Sequence, residues 1–413
     1  MVGNEAGDCE LADDAEMRLT QGLRRLGQEA MQSWAQARVV SAERDVRWAG
    51  RAHREGKKLQ WHTTFGEICV DEPQYRSGKR RLRPFAQGAG VSARGCSRLL
   101  QRALTDVGAD LPYARVMDKM VEHHGVVVCE STIRRVTLRH AKKIHQRSQG
   151  FPQCPPATAL APGQTYIAEI DGTMVPTVRA DTTRADQRKG KTVQWQECKL
   201  SLAHAHQSKD LFYAATLLGD ADTAGKQLRA CTKRAGFGKG HRVHGLGDGA
   251  PWIARQVRQR FGSQGSYLVD FYHVCEYLSA AAKAIEDQPA AQQLWLDTQR
   301  QRLKTGRLDA VLQALHEHMK PGATPDEDAP VRQCWRYLSQ RLGQLDYKGA
   351  LSQGLPIGSG EIESEHRYLV QRRLKLPGAW RNEVNAEHML SLRVNRANGE
   401  WPNYWATDLR YAV

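Results

Sequence analysis

Asp171 and Asp248 are the residues of this chain best placed to do chemistry. Asp171 follows the apolar stretch Tyr166-Ile167-Ala168-Glu169-Ile170 and precedes Gly172-Thr173, a pattern that predicts a carboxylate at the end of a strand beside a tight turn. Asp248 repeats it, after Val243-His244-Gly245-Leu246-Gly247 and before Gly249. Either aspartate alone is most simply a residue that opens a turn. Two of them at strand ends in one region of mixed pattern point instead to a shared site. Neighbouring carboxylates repel unless a cation lies between them, and Mg2+ or Mn2+ suits such oxygen donors.

A pair of ions needs a further carboxylate. The Gly-rich turn Gly354-Leu355-Pro356-Ile357-Gly358-Ser359-Gly360 predicts the start of one more long helix, which opens with Glu361, Glu363 and Glu365. Residues two apart on a helix point roughly 200° away from each other, so the three cannot all face one pocket. Glu363 is the choice and Glu361 the alternative; an acid that merely favours a helix N-terminus is the simpler explanation of the cluster. Farther along, Arg367, Arg372, Arg373 and Lys375 offer charge for phosphate. Together these residues imply in-line attack of water or a 3′-hydroxyl on a phosphodiester, with two ions serving the nucleophile and the leaving oxygen. Nothing resembling a nucleophile elbow, a Walker loop or a Rossmann fingerprint is present.

The elements that must position these groups follow from periodicity. Residues 1–56 contain one amphipathic helix, with Leu19, Leu23, Leu26, Ala30 and Trp34 at helical spacing, suited to packing or self-association. Residues 57–85 hold a β-hairpin about Gly66 and a basic connector, Lys79-Arg80-Arg81-Leu82-Arg83. Residues 86–149 are helical, and their last two segments have the form of a helix-turn-helix: Tyr113 to His124, a stop at Gly125, then Thr132 to His145 with Ser131 as N-cap. On that second helix Ile133, Val136, His140 and Ile144 suit a core. Arg135, Arg139 and Lys142, with Arg134 beside them, suit double-stranded DNA. A helical hairpin with a solvated basic face is the alternative. The Pro-rich residues 150–164 predict a linker.

Beyond the linker, strands alternate with helices through residues 165–275, a helical insertion rich in Gln, Arg, Leu and Ala fills 276–350, and the final helices occupy 351–413. The fold class is therefore mixed α+β or α/β. A chain of 413 residues with 60 basic and 45 acidic residues, net charge +15, suits two or three domains and an acidic polymer as partner. The nine cysteines are odd in number and scattered, which excludes a zinc ribbon and a disulfide scaffold. No long apolar run or signal-peptide pattern is present, so the cytoplasm, in association with the nucleoid, is the expected location and no membrane partner is expected.

Glu-Ile-Asp171-Gly-Thr, Gly-Asp248-Gly-Ala, Asp270-Phe-Tyr-His273 and Gly-Ser-Gly-Glu-Ile-Glu363-Ser, taken in order, resemble a bacterial insertion-sequence transposase of the Kra type. That group is similar to the Mutator-like DDE enzymes with an Asp-x-x-His motif and an all-helical insertion before the last glutamate. The resemblance spans nearly the whole chain, including the closing Leu-Lys-Leu-Pro-Gly-Ala-Trp380-Arg segment. It implies an RNase H-like core, two divalent metals held by Asp171, Asp248 and a glutamate at 363 or 361, and accessory roles for Asp270 and His273. It also implies a homo-oligomer bound to terminal inverted repeats and target DNA. Trp252 and Trp335 are candidates for stacking on extruded bases, against the ordinary role of core tryptophans. A DNA-binding protein with an inactive core, or a metal-dependent nuclease without strand transfer, are the competing functions.

Overall fold

The computed structural model describes residues 11–48, 53–77, 80–158, 162–180, 183, 190–377 and 381–408, so Lys79 and Trp380 lie outside the described residues. The chain is a mixed α+β protein whose strands form a three-stranded and a six-stranded sheet. It divides into two compact units, residues 1–140 with 402–413 and residues 141–401.

In the first unit, helix α1 (Ala12–Trp48) is followed by an antiparallel sheet of β1 (His53–Thr63), β2 (Gly66–Ser77) and β3 (Arg80–Leu82). The basic connector is thus a third strand, followed by the short helix α2 (Pro84–Gly88). Alternation in the hairpin turns Leu59, Trp61, Ile68 and Val70 inward, where Ala35 and Val39 of α1 and Phe85 of α2 meet them. Helices α3 (Arg98–Asp110), α4 (Tyr113–His124) and the part of α5 (Glu130–Ser148) up to His140 complete the unit, together with most of α16 (Trp401–Asp408). Gly125 ends α4 in the left-handed conformation (φ 65°), as the sequence predicts. Helix α5 begins at Glu130, so Ser131 sits inside its first turn and is not its cap. Leu100, Leu104, Val116, Met120, Val126, Val128, Ile133 and Val136 form the core of the three helices.

The two units divide between His140 and Ala141, inside α5, and not at the Pro-rich residues 150–164. Those residues include coil pinned to the second unit: the backbone N–H groups of Gln153 and Cys154 both donate to Glu400 Oε1, and Ala157 N donates to the Arg234 carbonyl. Satisfied backbone donors, not a free linker, are the physical content of that segment.

The second unit is built on β4 (Thr165–Ala180), β5 (Lys191–Ala205), β6 (Phe212–Thr216), β7 (Arg242–Gly247) and β8 (Gly265–Val269), in the spatial order β6-β5-β4-β7-β8. The first three strands pair antiparallel; β7 and β8 run parallel to β4. Helices α6 (Ala221–Arg234) and α7 (Pro251–Phe261) pack on Tyr166, Ala168 and Ile170 at one face of β4. Ile167, at the opposite face, packs with the helical insertion of α8 (Phe271–Ile285), α9 (Pro289–Lys304), α10 (Leu308–His316), α11 (Pro330–Ser339) and α12 (Tyr347–Ser352).

The helix after the Gly-rich turn is not one uninterrupted helix. It runs as α13 (Gly360–Glu365), a π-helical turn over His366–Gln371, and α14 (Arg372–Leu374). A π turn displaces backbone carbonyls from their usual partners. Here the buried Arg393 of α15 (Glu383–Ala397) takes up two of them, with Nε donating to the Leu369 carbonyl at 2.7 Å and its terminal nitrogen to that of Tyr368. A two-residue strand, β9 (Arg381–Asn382), pairs with β4 just before α15.

Candidate active site

Strand register puts the two aspartates on neighbouring parallel strands, just beyond their paired residues. In the parallel pair β4–β7, Ile167 lies opposite His244 and Glu169 opposite Leu246. The paired register ends there; continued by two residues it would lead from Asp171 to Asp248, the first residue after β7. Side chains alternate along a strand, so Ile167, Glu169, Asp171 and Thr173 share one face of β4.

Asp248 therefore stands at a strand end, as the sequence predicts, but Asp171 does not. Beyond Glu169 the antiparallel pairing of β4 with β5 continues to Ala180, and Asp171 lies opposite Leu200 inside this long hairpin. Gly172-Thr173 is extended strand and not a tight turn. What ends at Asp171 is the cover that β7 gives to the edge of β4, and the carboxylate is left partly exposed there.

The Asp248 turn is clamped by the helical insertion. Asp248 Oδ1 accepts from Ala250 N at 2.8 Å, its backbone carbonyl accepts from Tyr337 Oη at 2.6 Å, and Arg341 Nε donates to the Gly249 carbonyl at 2.9 Å. Tyr337 is sandwiched between Tyr277, stacked at 4.1 Å, and the Arg341 guanidinium at 3.9 Å. The insertion thus fixes the backbone that carries one of the two aspartates.

The three glutamates of α13 separate as a helical wheel requires. Glu361 pairs with His204 Nε2 at 2.8 Å, and the half-buried Glu365 faces Tyr213, whose hydroxyl offsets part of the rise that burial gives its carboxyl. Glu363 is solvent-exposed and has no side-chain partner among the described residues. Three residues after it, on the same side of the helix, the buried His366 places Nε2 3.2 Å from Asp171 Oδ2, outside hydrogen-bonding angles. Glu363 and His366 therefore belong to the Asp171 side, whereas Glu361 and Glu365 are committed to β5 and β6. Lys375 joins the first group, donating from Nζ to Thr173 Oγ1 at 2.8 Å. Among the described residues no three His, Cys, Asp or Glu side chains are gathered closely enough to hold a metal ion as they stand.

No protein-family model matches the chain, and no curated protein matches it either.

Two buried carboxylates seat the glutamate-bearing helix. Burial pushes the Glu169 carboxyl up to about 8, and its Oε2 accepts from the first-turn N–H of Ile362 at 2.9 Å. Asp270, also buried, caps α8 through the N–H groups of Tyr272 and His273 and accepts from Ser359 with its other oxygen. Asp270 is thereby spent on holding the turn that launches α13. His273 is partly exposed, 3.3 Å from Glu276 and edge-on to Tyr277 and Tyr337. Sequence reasoning missed Glu169, His204, His366 and Tyr337. For Glu169 a signal existed, a charged residue at an inward position of an otherwise apolar strand.

The basic residues divide by burial. Arg134, Arg135, Arg139 and Lys142 are all exposed on α5, with Arg139 donating to Gln101 Oε1 at 2.7 Å, whereas Ile133, Val136, His140 and Ile144 are buried as predicted. Arg367 and Arg372 are exposed, but Arg373 is only 1% exposed and is not available to phosphate. It falls on the inward face of α14 next to Leu374. Trp252 and Trp335 are partly buried against the two cores of the second unit.

Proposed function

We propose that this chain is a DDE-type DNA transposase of the Kra type, which binds the terminal inverted repeats of an insertion sequence and catalyses DNA cleavage and strand transfer. The observation behind this reading is the parallel pairing of β4 with β7, which ends two residues before Asp171 and Asp248, with His366 of the Glu363 helix 3.2 Å from Asp171. Three antiparallel strands followed by two parallel ones, in the order β6-β5-β4-β7-β8, is the order of an RNase H-like core, and the helical insertion falls between β8 and α13 as in the resembling enzymes.

The donor types suit a divalent cation: two aspartates, an uncommitted glutamate, and a buried imidazole 3.2 Å from one of the aspartates. Asp171, Asp248 and Glu363 would hold two Mg2+ or Mn2+ ions, which when bound activate the attacking oxygen and stabilise the leaving one. Lys375 and the exposed Arg367 and Arg372 hold phosphate beside these carboxylates. In the first unit, Gly125 and α5 form the turn and second helix of a helix-turn-helix, whose Arg134, Arg135 and Arg139 contact duplex DNA.

Self-association fits α1. The face that carries Ala35 and Val39 is used on the hairpin, while Leu19, Leu23, Leu26, Ala30, Ser33, Ala37 and Val40 are exposed at alternating steps of four and three. That spacing suits a coiled coil between two copies. No described helix is long and apolar enough to cross a membrane. The enzyme works in the cytoplasm at the nucleoid, where its DNA is.

The test is cleavage and joining of a labelled duplex bearing the inverted repeats that flank the reading frame, with Mg2+. Asp171→Asn and Asp248→Asn are expected to abolish both steps, and Glu363→Gln to match them. Glu361→Gln should retain activity. Wild-type rates in both aspartate variants would refute the catalytic reading; cleavage without joining would favour a plain nuclease.

A further inference from the structure

We infer that His366 is a nitrogen ligand of the divalent cation held at Asp171, which makes the centre a mixed carboxylate and imidazole site that prefers Mn2+ to Mg2+. The inference rests on the reading of Asp171 as a metal ligand.

The first ground is the state of the imidazole. His366 is 3% exposed, and neither ring nitrogen completes a hydrogen bond among the described residues. A buried histidine ordinarily has at least one nitrogen engaged by a carbonyl, a carboxylate or water, because an unsatisfied buried polar atom is costly. His140 and His244, equally buried, both follow that rule, with Tyr404 and the Pro356 carbonyl as partners.

The second ground is distance and angle. Nε2 lies 3.2 Å from Asp171 Oδ2, but off the direction a hydrogen bond requires. Two donors bound cis to one octahedral ion, each at roughly 2.1 Å, stand roughly 3 Å apart without pointing at each other. The pair has the separation of two ligands of one ion.

The third ground is the helix. Glu363 and His366 have the Glu-x-x-His spacing that presents a carboxylate and an imidazole on one face, as in dinuclear carboxylate centres built on helices. The π turn begins at His366 itself, and a buried arginine is committed to the carbonyls that this turn displaces. Such turns tend to be kept where a side chain must be aimed. Imidazole suits Mn2+ and later transition metals far better than Mg2+, hence the expected preference.

The experiment uses the full-length protein and Mn2+ alone, read by electron spin echo modulation and by binding titration. Wild type should show 14N coupling to bound Mn2+, altered by 15N-histidine labelling. His366→Gln should lose that coupling, bind Mn2+ on the order of tenfold or more weakly, and shift towards Mg2+. His204→Gln, which removes a different imidazole on this sheet face, should keep it. If His366→Gln does not fold, His366→Asp, which restores an oxygen donor, is read the same way. Bound Mn2+ that depends on Asp171 but shows no nitrogen coupling overturns the inference and leaves the proposed function standing. Mn2+ binding unchanged in Asp171→Asn would instead remove the metal reading of Asp171 itself.

Discussion

Asp270 and Ser359 are joined twice: Asp270 Oδ2 accepts from both the backbone N–H and the hydroxyl of Ser359, each at 2.5 Å. The same carboxylate caps α8 through Oδ1, so one buried side chain ties the insertion to the turn from which the Glu363 helix starts.

Asp270 is therefore expected to act on stability more than on chemistry. Asp270→Ala leaves four donors without their acceptor, and a loss of about 2–4 kcal/mol of unfolding free energy should follow. Urea denaturation at neutral pH measures it. A loss below about 1 kcal/mol would show that the four contacts do not form in solution.

Glu169 should give the protein a pH-dependent stability. Burial is the main cause that lifts its carboxyl to about 8; the Ile362 N–H and His204 oppose this, and Glu361 and Asp270 add to it. Between the ordinary value of 4.5 and about 8 the folded state keeps a proton that the unfolded chain releases, so stability falls as pH rises through that window. His204 acts in the same direction. Burial lowers its basicity, but the contact with Glu361, the Ala205 carbonyl and Glu169 together raise it above 6.5, and the stability this gives is lost as pH passes the raised value. Urea midpoints at pH 5, 6.5 and 8 with a chelator present should decline in wild type. Glu169→Gln, which can still accept from Ile362, should flatten the decline; an unchanged slope would place the dependence elsewhere.

What the sequence made legible was whatever local pattern decides. The glycine that stops α4, the inward set Ile133, Val136, His140 and Ile144, and Asp248 at a strand end all follow from short-range rules. Asp171 was misplaced because Gly172-Thr173 looks like a turn in isolation, whereas the pairing of β4 with β5 across fifteen residue pairs keeps it extended. His366 was invisible for a related reason. Its meaning lies in a neighbour 195 positions away in sequence, and no spacing within the helix reveals it. Arg373 shows the converse: a run of basic residues carries no mark of the one member that faces inward.

Gly249 should not tolerate a side chain. Its φ of +83° is a left-handed conformation, and a Cβ there would meet the Tyr337 hydroxyl and Arg341 Nε. Gly249→Ala is expected to lose about 1–3 kcal/mol and to displace Asp248 with it, so thermal stability and the proposed DNA cleavage should fall together. Tyr337→Phe removes only the hydrogen bond to the Asp248 carbonyl and should cost about 1 kcal/mol. If Gly249→Ala melts like wild type, the clamp on this turn is looser than the contacts imply.

The arginines offer a test in which burial alone separates two outcomes. Arg135 is exposed on α5, so each phosphate it neutralises should contribute to the salt dependence of DNA binding, while Arg373 is enclosed and should contribute nothing. With log affinity plotted against log salt for duplex DNA, Arg135→Ala is expected to lower the slope by about 0.9 with the melting temperature unchanged. Arg373→Ala should behave in the opposite way, with an unaltered slope and a loss of about 2–4 kcal/mol, because it removes a large buried side chain and its interactions. A slope that falls for Arg373→Ala would mean that α14 turns outward on DNA, and an unaltered slope for Arg135→Ala would take this face of α5 out of the DNA interface.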